Sequence, residues 1–303
     1  MQDLPHLASP KKGRDNFCNN FNGNLIVSRK TMKKEIIKIF AFGDIIGRPG
    51  REALKDIIPA VKKEFSPDII IANGENLAHN EGTTEKTLKE ILSYGVDFVT
   101  LGDHAFDREK EMIRILANPS YPVIRPANFP LGAPGLGWKI FSVEKKNIKI
   151  AVLNLMGRVF FRETLDCPFR TAEKLTEEIR KETNIIICDF HAEATSEKKA
   201  MGYFLDGRAS LVYGTHTHIP TADEQILPKK TGYIGDVGMT GPKFSIIGAD
   251  PEISIKHFIT QMPFNYEISD DKEIEYNAIY AEIDAKLGTA IKIERIRRLV
   301  KKA

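Results

Sequence analysis

The sequence predicts an α/β fold built around a mostly parallel, buried sheet. Short continuous apolar runs alternate with segments of helical length, and polar residues gather directly after each run. The composition agrees, because 42% hydrophobic and 28% charged residues in a chain of 303 are typical of globular proteins and exclude wholesale disorder or a fibrous repeat. The apolar runs all fall short of the ~18 residues that a bilayer span requires, so no membrane segment is expected.

Three strand–loop–helix units account for the first half of the chain. The predicted strands are residues 36–42, 68–72 and 98–101. The predicted helices are residues 52–65, 84–94 and 108–117. Pro59 lies inside the first helix and should bend or split it, whereas Gly95 follows the second helix and should end it.

The second half of the chain adds hairpins to this pattern. Hairpins are predicted where two apolar runs flank a short polar turn. Their strands are residues 138–143 with 148–153, and 273–283 with 289–296. The other predicted elements are a helix at 171–181 and short buried strands at 185–188 and 211–213.

The N-terminal residues 1–31 are expected to be a poorly ordered extension, because they are polar and lack periodicity. No linker interrupts the rest, so residues 32–303 are expected to form a single domain. Residues 1–35 carry a net charge of +4, and a second basic cluster begins at Arg295. Residues 36–294 between them carry a net charge of −6, which argues against a long nucleic acid substrate.

The cysteine content and the N-terminal sequence predict a cytoplasmic protein. The three cysteines form no CxxC motif and are too few and too scattered for a disulfide framework. The first 25 residues contain no apolar stretch of the kind that a secretory signal needs.

Oxygen and nitrogen donors stand at the ends of five predicted strands. They are Asp44, Glu75, Asn76, Asp103, His104, His191, His216 and His218. Taken singly, Asp44 is more often a helix cap or turn residue, Glu75 could be a solvated loop acid, and His191 could be structural. Strand ends of one sheet converge in space, so the complete set predicts a metal site.

The number of donors favours two metals over one. His216 and His218 form an i, i+2 pair, and on extended backbone such a pair turns both rings to one side, where they could reach two neighbouring ions. Three carboxylates and three strong histidine candidates exceed the four ligands of a tetrahedral site, whereas a two-metal site needs a bridging carboxylate and two terminal sets. Carboxylate and imidazole ligands without thiolate suit Mn, Fe or Zn.

Seven stretches of the chain carry a family resemblance. They are GDIIGRPGR (43–51), NGEN (73–76), RPANFP (125–130), NLMGRVF (154–160), DFHAEATSEK (189–198), GTHTH (214–218) and DVGMTGP (236–242). In this order they resemble calcineurin-like metallophosphoesterases, and more closely the YmdB-like branch of bacterial cyclic-nucleotide phosphodiesterases. The likeness covers roughly residues 34–296 and implies a four-layer α/β/β/α sandwich with the metals at the strand ends.

The resemblance also implies how the donors divide. One metal would take Asp44, Glu75 and His218, with Asn76 as a further candidate. The other metal would take Glu75, Asp103, His191 and His216, so that Glu75 bridges the pair. His104 resembles the family's catalytic imidazole, which would stabilise charge on the phosphoryl group or protonate the leaving oxygen.

Several other polar residues are secondary candidates. Asn76, Arg158 and Arg208 could contact phosphate, although a structural ion pair is the stronger alternative for each arginine. Asp189, Glu193 and Glu197 could orient ligand imidazoles, with capping of the helix that begins near residue 195 as the alternative for the two glutamates. His79 is a weaker candidate near the site, and His6 and His257 are expected to play no part in it.

One position departs from the family pattern. The family has G-N-H-T-W-D where this chain has Gly102-Asp103-His104-Ala105-Phe106-Asp107. Asp103 would add a third carboxylate beside Asp44 and Glu75. The more anionic site should hold metal more tightly, attract phosphate less strongly and acidify bound water less.

The resemblance implies a two-metal phosphodiesterase that hydrolyses a small cyclic nucleotide, 2′,3′-cyclic AMP, by attack of a metal-activated hydroxide on phosphorus. Two divalent or trivalent ions per chain are expected, Fe or Mn first and Zn as the alternative. The competing hypotheses are a phosphomonoesterase or nuclease, and a metal-binding regulatory protein with weak or no turnover. A homo-oligomer is compatible with the sequence.

Overall fold

A computed structural model describes residues 35–79 and 81–301. In this part of the chain, two six-stranded sheets face each other and helices cover their outer sides. The predicted α/β/β/α sandwich is therefore confirmed. The prediction of a poorly ordered extension over residues 1–31 lies outside the described residues.

The first sheet has the order β12-β11-β10-β1-β2-β3. Its strands are β1 (Ile36–Ile45), β2 (Ile69–Asn73), β3 (Phe98–Thr100), β10 (Met239–Pro242), β11 (Glu273–Asp284) and β12 (Thr289–Lys301). β1 pairs in parallel with β2 on one side, and on the other side it pairs antiparallel with β11. The predicted C-terminal hairpin is β11–β12.

The second sheet has the order β4-β5-β6-β7-β9-β8. Its strands are β4 (Trp138–Val143), β5 (Ile148–Met156), β6 (Ile186–His191), β7 (Leu211–Thr215), β8 (Gln225–Ile226) and β9 (Gly232–Ile234). The β4–β5 hairpin is antiparallel, as predicted, and β5, β6 and β7 run parallel.

The described residues form six α-helices, five of which cover the outer faces of the sheets. The six helices are α1 (Gly47–Phe65), α2 (Glu85–Tyr94), α3 (Glu109–Ala117), α4 (Pro168–Ile179), α5 (Thr195–Phe204) and α6 (Pro251–Thr260). Side chains of α1, α2 and α3 pack on the first sheet, and side chains of α4 and α5 pack on the second. None of the helices formed by the described residues is long and apolar enough to cross a bilayer.

The alternation of side chains along each strand divides the core into layers. In β1, Ile37 and Ile39 face the second sheet, whereas Phe40 and Phe42 face the helices. β1 is therefore apolar on both faces, which explains why its sequence is a continuous apolar run.

Several predicted boundaries or features were wrong, and some elements were not predicted. α1 begins at Gly47, before the predicted residue 52, and it continues through Pro59 without interruption. Pro59 lies on the exposed face, where water can solvate the carbonyl that loses its hydrogen bond. β6 extends to His191, so Asp189 and His191 are strand residues, and α6 was not predicted.

Candidate metal centre

The carboxyl ends of strands from both sheets meet at one edge of the sandwich. β1, β2 and β3 of the first sheet and β6 and β7 of the second bring the predicted donors to this edge. One ligand atom from each of Glu75, Asp103, His191 and His216 lies within 4.8 Å of the other three. These four residues could hold a metal ion.

His191 is completely buried and held by a chain of hydrogen bonds. The Thr215 hydroxyl donates its proton in a hydrogen bond to Oδ1 of Asp189 at 2.7 Å. The lone pairs of the hydroxyl oxygen remain available, and they accept a hydrogen bond from Nδ1 of His191 at 2.8 Å. This pattern places the imidazole proton on Nδ1 and directs the Nε2 lone pair into the site. Nε2 lies 2.8 Å from Oδ1 of Asp103 and 3.1 Å from Oε1 of Glu75.

The GTHTH segment does not have the extended backbone predicted for it. His216 and His218 have φ angles of 103° and 64°, because the chain turns sharply after β7. Such angles are strained for residues other than glycine and are concentrated at functional sites. The turn sends the two rings to different positions, since Nδ1 of His216 lies 3.2 Å from Oδ1 of Asp103 whereas Nε2 of His218 lies 3.3 Å from Nδ2 of Asn76.

A second group of donors surrounds His218. Nδ1 of His218 donates to the carbonyl oxygen of Ile247 at 2.8 Å, which leaves the Nε2 lone pair facing the site. Nε2 is 4.0 Å from Oδ1 of Asp44. This carboxylate oxygen is buried and has no hydrogen-bond partner among the described residues. A buried anionic oxygen without a partner is costly, and a cation beside it would remove that cost.

Glu75 lies between the two groups. Its Oε1 atom is 3.1 Å from Nε2 of His191 in the first group and 3.3 Å from Nδ2 of Asn76 in the second. Gly102 makes room for this carboxylate, since a Cβ atom at residue 102 would overlap both Oε2 of Glu75 and Nε2 of His191. The seven predicted metal ligands are thus brought together as two donor groups joined by Glu75.

His104 lies beside the donor groups. Its Nδ1 is 2.6 Å from Oδ2 of Asp107, and its Nε2 is 3.7 Å from Oδ2 of Asp103. Burial opposes the charged form, but the negative charges of Glu75, Asp103 and Asp107 outweigh it and raise the pKa of His104 above its ordinary value. The imidazole is therefore suited to carry a proton toward the cleft.

A buried polar network behind the donors connects the two sheets. Asp189 on β6 accepts hydrogen bonds from Thr100 on β3 at 2.5 Å and from Asn73 on β2 at 3.2 Å. Burial raises the pKa of Asp189 to about 6, against the opposing effects of His191 and of the threonine hydroxyls. Asn154 on β5 accepts from the amide of Leu101 at 3.2 Å. Asn73, Thr100 and Asn154 were not predicted as site residues; each is a polar residue inside an apolar strand, and this is the signal that could have identified them.

A buried ion pair supports the turn that carries His216 and His218. Lys198 and Asp236 form this pair, and both side chains are almost completely buried. Nζ of Lys198 also donates to the carbonyl oxygen of Thr215 at 2.8 Å, while Oδ2 of Asp236 accepts from the amide of Thr217 at 3.1 Å. The pair therefore holds the backbone on both sides of His216.

The secondary candidates have different outcomes. Oε2 of Glu193 lies 3.2 Å from Nε2 of His216, as expected of a residue that orients this imidazole. Glu197 instead accepts hydrogen bonds from the amides of Arg158 and Val159 and so holds a loop.

The prediction that Arg208 contacts phosphate was wrong. Arg208 lies between α5 and β7, away from the carboxyl edge, and pairs with Glu173 at 3.0 Å, which is the structural alternative. His79 and the Arg158 side chain are exposed.

An open cleft of about 360 Å³ leads to the donors. Glu75, Asn76, His104, His216 and His218 line its floor and sides. The other lining residues are two acids, a threonine, an isoleucine and a tyrosine, namely Glu81, Glu193, Thr217, Ile247 and Tyr266. A small ligand can therefore reach both donor groups and His104 at once.

Comparison with known proteins gives one family. The sequence model described as "YmdB-like protein" matches residues 40–296. The chain is 45% identical over 260 residues to the 2′,3′-cyclic-nucleotide 2′-phosphodiesterase of Bacillus subtilis (strain 168), and the match covers 86% of this chain and 96% of that protein.

Solved structures agree with this match. A hypothetical protein from Thermus thermophilus superposes with a TM-score of 0.80 at 37% identity, over 87% of this chain and 99% of that one. A novel phosphatase from Mycoplasma pneumoniae superposes with a TM-score of 0.82 at 33% identity, over 89% of this chain and 96% of that one.

Proposed function

The chain belongs to the YmdB-like family, and from this premise we propose that it is a two-metal phosphodiesterase that opens the ring of a small cyclic nucleotide, 2′,3′-cyclic AMP. The family resemblance found in the sequence is confirmed, and so is the broader class of phosphoric ester hydrolase, which the names of the relatives support. The name of the B. subtilis relative supports a 2′,3′-cyclic nucleotide as the substrate and cleavage of the ester bond at the 2′ oxygen.

The observation that carries the proposal is the position of Glu75 between two donor groups. We assign Asp44, Glu75, Asn76 and His218 to one metal ion and Glu75, Asp103, His191 and His216 to the other. The donor chemistry supports this assignment, because the Nε2 lone pairs of His191 and His218 face the site and Oδ1 of Asp44 lacks a hydrogen-bond partner among the described residues. Oxygen and imidazole donors without a thiolate suit Fe or Mn, with Zn as the alternative.

Bound metal ions would supply Lewis-acid stabilisation of phosphoryl oxygens and lower the pKa of water. The protein's own residues would do the rest. His104 faces the cleft with its Nδ1 held by Asp107, so its Nε2 can deliver a proton to the 2′ oxygen as the ester bond breaks. The amide of Asn76, which lines the cleft, can donate to a phosphate oxygen.

The small cleft favours a small substrate. A cavity of about 360 Å³ is at the lower end of the range for small-molecule sites, and acidic side chains are among those that line it. A polynucleotide would bring many phosphates to a net-acidic body, which supports the exclusion of long nucleic acids.

A second candidate function is a metal-binding regulatory protein with weak turnover. The observation that favours it is Asp103, whose Oδ1 atom lies 2.8 Å from His191 and 3.2 Å from His216. A carboxylate at this position adds negative charge where the family has an amide. The complete set of donors and the presence of His104 favour an enzyme over a regulatory protein.

The experiment is a steady-state assay with 2′,3′-cyclic AMP and added Mn²⁺. The proposal expects turnover that stops with a chelator and yields 3′-AMP, because breakage of the bond to the 2′ oxygen leaves phosphate on the 3′ oxygen. The Glu75→Gln variant should be inactive, whereas Glu144→Gln, an exposed acid in the β4–β5 turn, should behave as the unmodified protein. Metal uptake without turnover would favour the regulatory alternative, and faster hydrolysis of a phosphomonoester would overturn the substrate assignment.

A further inference from the structure

The helix α6 carries an apolar stripe toward solvent. Ile255, Phe258 and Ile259 are 51%, 66% and 76% exposed, and Ser254 is the one buried residue of this helix. Apolar positions at i, i+3 and i+4 normally face a protein's own core. Among the described residues, however, the three core clusters contain no residue of α6.

The stripe is part of a larger surface that we call the outer patch. Its members are Phe244, Ile247, Ile255, Phe258, Ile259, Met262 and Phe264, all 40–76% exposed. Ring contacts connect two of these members through His257, which packs on Phe264 with ring centroids 4.5 Å apart and on Phe258 with centroids 5.7 Å apart. Phe264 in turn contacts Tyr266, whose hydroxyl donates to the carbonyl oxygen of Ile247.

The outer patch is larger than a monomer normally exposes. With up to about 200 Å² for each large residue when fully exposed, the seven exposures correspond to roughly 750 Å² of surface, backbone included and mostly apolar. The largest apolar patch of a typical monomer is about 300–600 Å². A stable protein interface takes about 800 Å² from each partner, so the outer patch matches one half of a dimer interface.

The apolar stripe of α6 can pack against a second copy of itself. Ile255 and Ile259 lie one helical turn apart with Phe258 beside them, whereas Met262 follows the left-handed turn at Gln261 that ends the helix. A two-fold axis beside Phe258 and Ile259 would place the stripe of one copy against the same stripe of the other. Glu252 and Lys256 are the charged residues of α6 and their charges cancel, whereas a helix that binds membranes has a polar face rich in Lys and Arg.

We propose that the chain forms a two-fold symmetric dimer through the outer patch, with α6 of one copy packed against α6 of the other. Ile247 belongs to both the patch and the wall of the cleft, and its carbonyl oxygen holds Nδ1 of His218. The second copy would therefore cover the outer side of the wall that positions this imidazole.

The test is the mass of the full-length chain in solution, measured by light scattering over a wide range of concentrations. The unmodified protein should have twice the mass of a single chain. Ile259→Lys and Ile259→Asp each place like charges beside the proposed axis, so each should weaken the dimer more than about a hundredfold. An equimolar mixture of the two variants should dimerise again, because the opposite charges then meet.

Leu287→Lys is the matched control, because Leu287 is 61% exposed and lies in the β11–β12 turn, outside the outer patch. This variant should leave the dimer intact. Circular dichroism and thermal unfolding of the Ile259 variants report whether they fold. The proposal is overturned if the unmodified chain is monomeric throughout, or if folded Ile259→Lys keeps the mass of the unmodified dimer. Sedimentation of a monomeric chain with phospholipid vesicles would assign the patch to a membrane and overturn it as well.

Discussion

The amide of His216 donates a hydrogen bond to Oδ2 of Asp44, with an N···O distance of 3.1 Å. This bond joins the second sheet to the first at the candidate metal centre. The other oxygen of the same carboxylate, Oδ1, is buried without a hydrogen-bond partner among the described residues and faces Nε2 of His218 at 4.0 Å. One carboxylate can thus fix the histidine turn with one oxygen and bind a cation with the other.

Glu75→Ala should lower the metal content at both positions. Glu75 is the residue that contacts both donor groups, through His191 on one side and Asn76 on the other. Elemental analysis of protein purified without chelator should find close to two equivalents of metal per chain in the unmodified protein and less than one in Glu75→Ala. One firmly bound equivalent that survives the change would show that Glu75 is not a bridge.

His104→Ala should lose most turnover and keep its metal. The imidazole stands beside the donors, and a general acid contributes about 10²–10⁴-fold to a rate. The kcat for 2′,3′-cyclic AMP and the metal content should be measured on the same preparation. Loss of metal together with activity would make His104 a ligand, contrary to our assignment.

Asp103→Asn should bind the second metal less tightly but hydrolyse cyclic nucleotide faster when metal is saturating. The change restores the family's amide and removes one negative charge at a point 2.8 Å from His191. Charge interactions at such distances are worth a few kcal/mol at intermediate dielectric, and they act on both the metal and the phosphate. Turnover measured against metal concentration for both proteins separates the two effects. If neither quantity changes, Asp103 does not contact the metal.

Lys198→Met should destabilise the fold by about 3–5 kcal/mol, because it leaves the buried charge of Asp236 without its partner. Urea denaturation measures this difference. Lys199→Met is the control, since Lys199 pairs with Asp223 at a partly exposed site where a pair contributes about 0–1 kcal/mol. The double variant Lys198→Met with Asp236→Asn should recover part of the loss. Equal effects of the two lysine variants would contradict the importance assigned to the buried pair.

The sequence predicted the position of the site better than its local geometry. Polar residues after apolar runs correctly indicated the edge where Asp44, Glu75 and His191 meet, because strand order alone brings strand ends together. The backbone of His216 was predicted wrongly; this residue has a positive φ, and its amide bonds to Asp44, a partner 172 residues away that no local pattern indicates.

Other features depend on contacts that no local pattern contains. The partnership of Lys198 with Asp236 is formed by two segments that become neighbours only when the second sheet is complete. Pro59 was expected to interrupt α1, but its exposed position on the helix was decided by packing of the opposite face. The spacing of residues 255, 258 and 259 in the sequence indicates an apolar stripe on a helix. The exposure of that stripe to solvent could not be predicted from the spacing.

The pairing of β1 with β11 has a consequence for synthesis of the chain. Ile36 pairs with Asp284 and Phe42 with Ala278, so the partner of this apolar strand is translated about 240 residues later. At about 5–20 residues per second, one edge of β1 waits roughly ten to fifty seconds on the ribosome before it can pair. The second sheet, between Trp138 and Ile234, can form during that interval and cover the inner face of β1. Until β11 arrives, the open edge of β1 is where a nascent chain would pair wrongly with a neighbour.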